Sequence, residues 1–118
     1  MYRFYNANVK NRFVDDCTIR AISLAEDSTW NETYRKLSNL AREEGLMMDS
    51  AEFIEDYLDK HYKRQDCDNC SVGEFVDRHR LGTYLITMPN HISIAINGLI
   101  YDTFDCSDRI MKSAWRVR

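Results

Sequence analysis

Proline occurs once and glycine four times in these 118 residues. No linker, repeat or low-complexity tract divides the chain, so a single domain over residues 1–118 is the expectation. No apolar run approaches the ~20 residues that cross a bilayer. The opening Met1-Tyr2-Arg3-Phe4-Tyr5-Asn6 also lacks the apolar stretch of an export signal. These absences point away from the membrane and to a cytoplasmic location. There is no basic excess: 16 Lys and Arg stand against 19 Asp and Glu, for a formal charge of -3. That excludes the basic face of a nucleic-acid module. Cysteine is scarce as well, at four residues, and in a reducing compartment these are thiols rather than disulfides.

What is present divides into two halves. Cys17, Ala21 and Leu24 fall on one face of a helix over Cys17–Ala25, with Asp15 or Asp16 placed to cap its start. A second helix covers about 30–44, opened by the capping-box pair Thr29 and Glu32. Its apolar stripe is Trp30, Tyr34, Leu37 and Ala41, and Gly45 ends it. A third, over about 51–61, starts at Asp49 or Ser50 and aligns Ile54, Leu58 and His61. A short fourth follows Ser71, which pairs with Glu74, and buries Val72, Phe75, Val76 and His79. From Thr83 the period changes to two. Thr83–Met88, His91–Ile96 and Leu99–Phe104 read as strands, with a last one inside Arg109–Val117. Residues 1–14 read as an extended arm or short strand. Helices first and an antiparallel sheet last make an α+β order.

The chemistry comes from the hairpin register. Asn97-Gly98 between alternating runs is a two-residue turn. Ile96 then faces Leu99, Ser93 faces Asp102 and His91 faces Phe104. With side chains alternating, His91, Ser93, Asp102 and Phe104 share one face. His91 and Asp102 are diagonal neighbours within side-chain reach. Ile92, Ile94, Ile96, Leu99 and Tyr101 form the opposite, core-facing side. Asp102 is positioned to orient the His91 ring, and Asp105, on the other face in this register, is the second choice. A thiol at a helix start beside an imidazolium is a nucleophile in waiting, because both lower its pKa. Cys17, His91 and Asp102 are therefore the candidate nucleophile, base and orienter.

In that order and spacing, the chain resembles the papain-like cysteine peptidases. Asp16-Cys17, Arg20-Ala21-Ile22, Gly82-Thr83-Tyr84-Leu85, His91 and Gly98 with Tyr101-Asp102-Thr103 resemble small papain-like proteins of phages and bacteria. Those are usually described as similar to bacteriocin-leader (double-glycine) peptidases. The resemblance implies a papain-like fold and a peptide or protein substrate. It also implies an oxyanion donor at Asn11, which stands six residues before Cys17 where papain-like peptidases carry Gln. Cys17 to Ser23 also echoes the ovarian-tumour-type deubiquitinases, with Asp15 where those carry glycine.

The resulting expectation is a small thiol hydrolase, peptidase or amidase, that needs no cofactor. The alternatives are a catalytically weak scaffold that binds a partner protein and a transferase using the same thioester. Cys67-Asp68-Asn69-Cys70 has the spacing of half a zinc site, but only Cys106, His61 and His79 remain to complete it. A loop ahead of a helix is the better reading. His61 and His79, near helix ends, are expected to pack their rings and meet backbone carbonyls, and Trp30 and Trp115 to lie in the core. Tyr84 and Phe104 line the cleft or pack.

Overall fold

The structure, a computed structural model, describes residues 1–67 and 69–118. The elements run β1 (Tyr2–Phe4), α1 (Cys17–Ala25), α2 (Trp30–Glu44), α3 (Ala51–His61), β2 (Lys63–Gln65), α4 (Val72–Arg78), β3 (Thr83–Met88), β4 (His91–Ile96), β5 (Leu99–Asp102) and β6 (Ser113–Arg116). The helices begin where short polar side chains stand. Thr29 and Ser71 form complete capping boxes with Glu32 and Glu74, and Ser50 rather than Asp49 caps α3. α1 departs from expectation: Asp16 occupies the N-cap, yet no side chain caps the helix.

The sheet is mixed rather than purely antiparallel. Its strand order is β1-β5-β4-β3-β6-β2. β1 runs parallel to β5, with Tyr2 opposite Ile100 and Phe4 opposite Asp102; the remaining pairs are antiparallel. The N-terminal arm thus returns as one edge, and Lys63–Gln65 forms the other. The charged side chains of that second edge discourage further strand pairing.

The central hairpin has the anticipated register. Asn97 and Gly98 take φ of 48° and 82°, the left-handed pair of a type I′ turn. They set Ile96 opposite Leu99 and Ala95 opposite Ile100. β5 ends at Asp102, two residues before the expected Phe104, because the Thr103 N–H turns onto Asp102 Oδ1 at 2.7 Å and leaves the ladder. Gly82 also has a fixed reason. Its φ is 100°, and a Cβ there would lie 2.6 Å from the Arg118 carbonyl oxygen, so any other residue displaces the C-terminus.

Both faces of the sheet are covered. On one, Leu85, Ile92, Ile94 and Trp115 pack against Ile22, Leu37, Phe53 and Leu58 of α1–α3. On the other, Tyr84, Ile86, Ala95 and Ile100 pack against Val72, Phe75 and Val76 of α4 and against Cys106 and Met111. The face bearing His91, Ser93 and Asp102 is therefore a second core. This is why β3, read as one more strand, is buried at every residue.

Several packing expectations need correction. Trp30 is half-buried, and Tyr34, on which it stacks at 5.2 Å, is exposed. Thr33 takes the buried place beside Leu37 and Ala41. His61 is exposed, but as expected its ring packs, stacked on Tyr57 at 4.1 Å, and its Nδ1 lies 2.8 Å from the Tyr57 carbonyl. His79 does the same with Phe75 at 2.8 Å. Trp115 is fully buried.

Candidate active site

α1 is buried on nearly every side, which fixes the position of its first residue. β5 pairs β4 only over Ile94–Ile96, so the edge of β4 nearer His91 is open. The Cys17 thiol sits at that edge. It faces the His91 side chain and the Ile92 backbone N–H, and both draw its pKa down.

His91 Nε2 lies 2.7 Å from Asp102 Oδ2, leaving Nδ1 as the ring atom free to face the sulfur. The Phe104 ring covers the imidazole, with centroids 4.8 Å apart, and Arg109 covers Phe104 in turn. Asp102 is itself held at every oxygen. Ser93 Oγ donates to Oδ2 at 2.6 Å. Thr103 N–H and, at 3.4 Å, the Arg20 guanidinium meet Oδ1. Asp105 is exposed and accepts the Ser107 N–H instead, so Asp102 is the partner of His91.

The electrostatics follow from these contacts. Burial pushes the Cys17 thiol up. The hydrogen bonds from His91 and the Ile92 N–H, with the charges of His91 and Arg20, outweigh it, and the net shift is downward. For His91, burial favours the neutral ring. Asp102 and Cys17 overcome that and push its pKa up to about 9. Burial also opposes ionisation of Asp102. The hydrogen bonds from His91 and Ser93, the His91 charge and the Thr103 N–H more than offset it, holding the carboxyl below the usual range. These contacts favour the charged forms of all three groups, a thiolate beside an imidazolium that an ionised Asp102 orients.

Cys17 and His91 open onto a cleft of about 750 Å³. Its apolar wall is Ile54, Met88, Pro89 and Ile92, and Asp15 and Asp49 stand among its polar residues. Tyr84 is core, and neither it nor Phe104 lines the cleft.

Asn11 is placed differently from its three companions. It is exposed, sits in a turn with φ of 54° closed by its N–H on the Asn8 carbonyl at 2.9 Å, and does not line the cleft. The zinc reading of the Cys67–Cys70 segment includes Asp68, which lies outside the described residues. Among the described residues, Cys67 is exposed and Cys70 is buried against Met111. The one potential metal-ligating group among them is His91, Asp102 and Cys106.

Sequence reasoning passed over Arg20 and misassigned Asp16. Both are buried, and the two are ion-paired. The other Asp16 oxygen accepts the Trp30 indole N–H at 2.8 Å. The signal was present: Asp16 and Arg20 are spaced i,i+4 on a helix whose remaining residues are almost all apolar, and a charge in such a helix requires a partner.

No helix among the described residues is long and apolar enough to cross a membrane. No family model, curated protein or solved structure matches the chain, so the functional reading rests on its own geometry.

Proposed function

We propose that this protein is a small papain-like thiol hydrolase, a peptidase or amidase acting on a peptide or protein through a thioester. The observation that carries this reading is Cys17 beside His91 on the wall of a cleft, with His91 Nε2 hydrogen-bonded to Asp102 at 2.7 Å.

The chemistry runs as follows. The Cys17 thiolate attacks an amide carbonyl carbon, forming a C–S bond and an oxyanion. The Cys17 N–H, at a helix start that no side chain caps, is directed to that oxygen. The oxyanion collapses and the C–N bond breaks, while the His91 imidazolium gives its proton to the departing amine. Neutral His91 then takes a proton from water, whose oxygen attacks the thioester carbon. The C–S bond breaks, and the acid product and thiolate–imidazolium pair are restored. Asp102 holds the ring throughout. Acyl transfer of this kind needs no metal or organic cofactor. Four cysteines that stand as thiols fit a reducing, cytoplasmic setting.

A second reading, a weakly catalytic scaffold that binds a partner protein, is favoured by one observation. Asn11, implied as the side-chain oxyanion donor, does not line the cleft. A panel of electrophilic peptide probes decides between the two. The hydrolase reading expects an acyl adduct on Cys17, absent in Cys17→Ala and slowed in His91→Ala. No adduct with any probe, together with equal iodoacetamide rates at all four thiols, would leave the binder.

A further inference from the structure

We propose that Arg20 is a positioning residue of this site: its guanidinium holds Asp102 against His91 and, by pairing with Asp16, keeps that carboxylate off the start of α1. The proposal rests on the thiol-hydrolase reading.

Arg20 is 7% exposed and lies between two carboxylates, each 2–3% exposed. A buried cation in that position is fully committed; its planar fork is what allows it to serve both anions at once. At Asp102 it meets Oδ1 at 3.4 Å, beside the Thr103 N–H at 2.7 Å, and Oδ2 is left to Ser93 and His91. The carboxylate therefore has one orientation, and through it so does the imidazole. Cys106 Sγ, 3.8 Å from Oδ2, and the Tyr2 hydroxyl on the Asp102 carbonyl at 3.1 Å complete that neighbourhood.

At Asp16 the effect is on the helix. Aspartate at an N-cap ordinarily folds back on the first free N–H groups. Here the side chain points to Arg20 and the Trp30 indole, and the helix start stays uncapped. The backbone donors beside the sulfur are thus left for a developing oxyanion. The guanidinium also adds a positive charge near the thiolate, offsetting the Asp16 carboxylate immediately before it in the chain.

The test is the pH dependence of Cys17 alkylation by iodoacetamide, read by mass spectrometry, in the wild type, Arg20→Met, Arg20→Lys and Asp16→Asn. Acyl transfer from the peptide probes is followed in parallel. In Arg20→Met the ionisation limb of Cys17 should move up by about one pH unit, the lower end of what a neighbouring opposite charge does. Arg20→Lys keeps the charge and should keep the limb. Its acyl transfer should fall about tenfold because an ammonium lacks the fork. Asp16→Asn should move the limb down. Should Arg20→Met fail to fold, by circular dichroism, the other two variants decide. The proposal is overturned by a folded Arg20→Met whose limb superimposes on the wild type, or, without it, by Lys and Asn variants with wild-type limbs and acyl-transfer rates. Loss of the hydrolase reading looks different: the wild type forms no acyl adduct, while the alkylation limbs still report on Arg20.

Discussion

Cys17 and Cys106 both touch the His91–Asp102 pair, one at the imidazole and the other at the carboxylate. Cys17 is half-buried and Cys106 buried, and burial pushes both thiols up. Cys17 also meets a cationic ring, a backbone N–H and the Arg20 charge, and ends below the ordinary thiol range. Cys106 meets the Asp102 charge and is pushed up to about 11. Shielding makes a cysteine inert unless the local charge has the opposite sign; the sign of the nearest partner, more than depth, separates a nucleophile from a core residue. Access agrees with charge: Cys17 borders the cleft, whereas Cys106 packs beneath it with α4 and Met111.

The largest effect should come from the carboxylate that the two thiols feel with opposite results. Asp102→Asn removes the anion orienting His91, and turnover of a peptide probe should drop about 10⁴-fold, as in a hydrolase triad. The same change removes one of the two carboxylates that Arg20 serves and leaves Asp16 as its partner, at a cost of about 1–3 kcal/mol in urea-unfolding stability. It should also lower the Cys106 pKa, since the charge that raises it is gone. A Cys106 that stays inert would mean burial alone controls it.

His91→Ala should slow Cys17 alkylation at neutral pH about tenfold or more and leave Cys106 unchanged. Unequal effects of this one substitution on the two thiols would sharpen the contrast; equal effects would break it.

The pH profile of turnover is the third test. The acid limb belongs to Cys17, depressed below a free thiol. The alkaline limb belongs to His91 near pH 9, where the ring loses the proton it must give the leaving amine. Stability responds with opposed signs. The raised His91 pKa adds stability present below about pH 6.5 and lost as pH rises through about 9. The depressed Cys17 pKa adds stability present above the unfolded thiol pKa and lost as pH falls through the folded one. In Cys17→Ala only the histidine slope remains, over a narrower range because Cys17 itself helps raise His91, so its urea midpoint should fall more steeply than the wild type's just above about pH 6.5.

Cys106→Ser should be the mildest of these changes. It keeps a small polar side chain beside Asp102 and should leave the Cys17 alkylation rate within about twofold, because Ser93, not Cys106, makes the short bond to Oδ2.

These contrasts were partly readable in the chain. Asn97-Gly98 fixes one hairpin register, and the period of two then places His91 and Asp102 together without further information. The two capping boxes and the Asp49-Ser50 cap announce their helices for the same local reason. What escaped depends on distant partners. Lys63–Gln65 has no apolar alternation and becomes a strand only because β6 offers it an edge. The parallel pairing of β1 is set by Ile100 through Asp102, almost a hundred residues away. Asp16 reads as a cap until Arg20 and Trp30 claim it. The resemblance to papain-like peptidases implies Asn11 as an oxyanion donor, but its turn with Asn8 leaves it outside the cleft lining.

The most direct measurement is a thiolate titration by ultraviolet difference absorbance, with the protein reduced to one cysteine at a time. Cys17 should be half-ionised at a pH below that of an ordinary thiol, lose that shift in His91→Ala, and stand apart from Cys106, which should ionise near 11. A Cys17 that titrates as an ordinary thiol and ignores the loss of His91 would contradict the account.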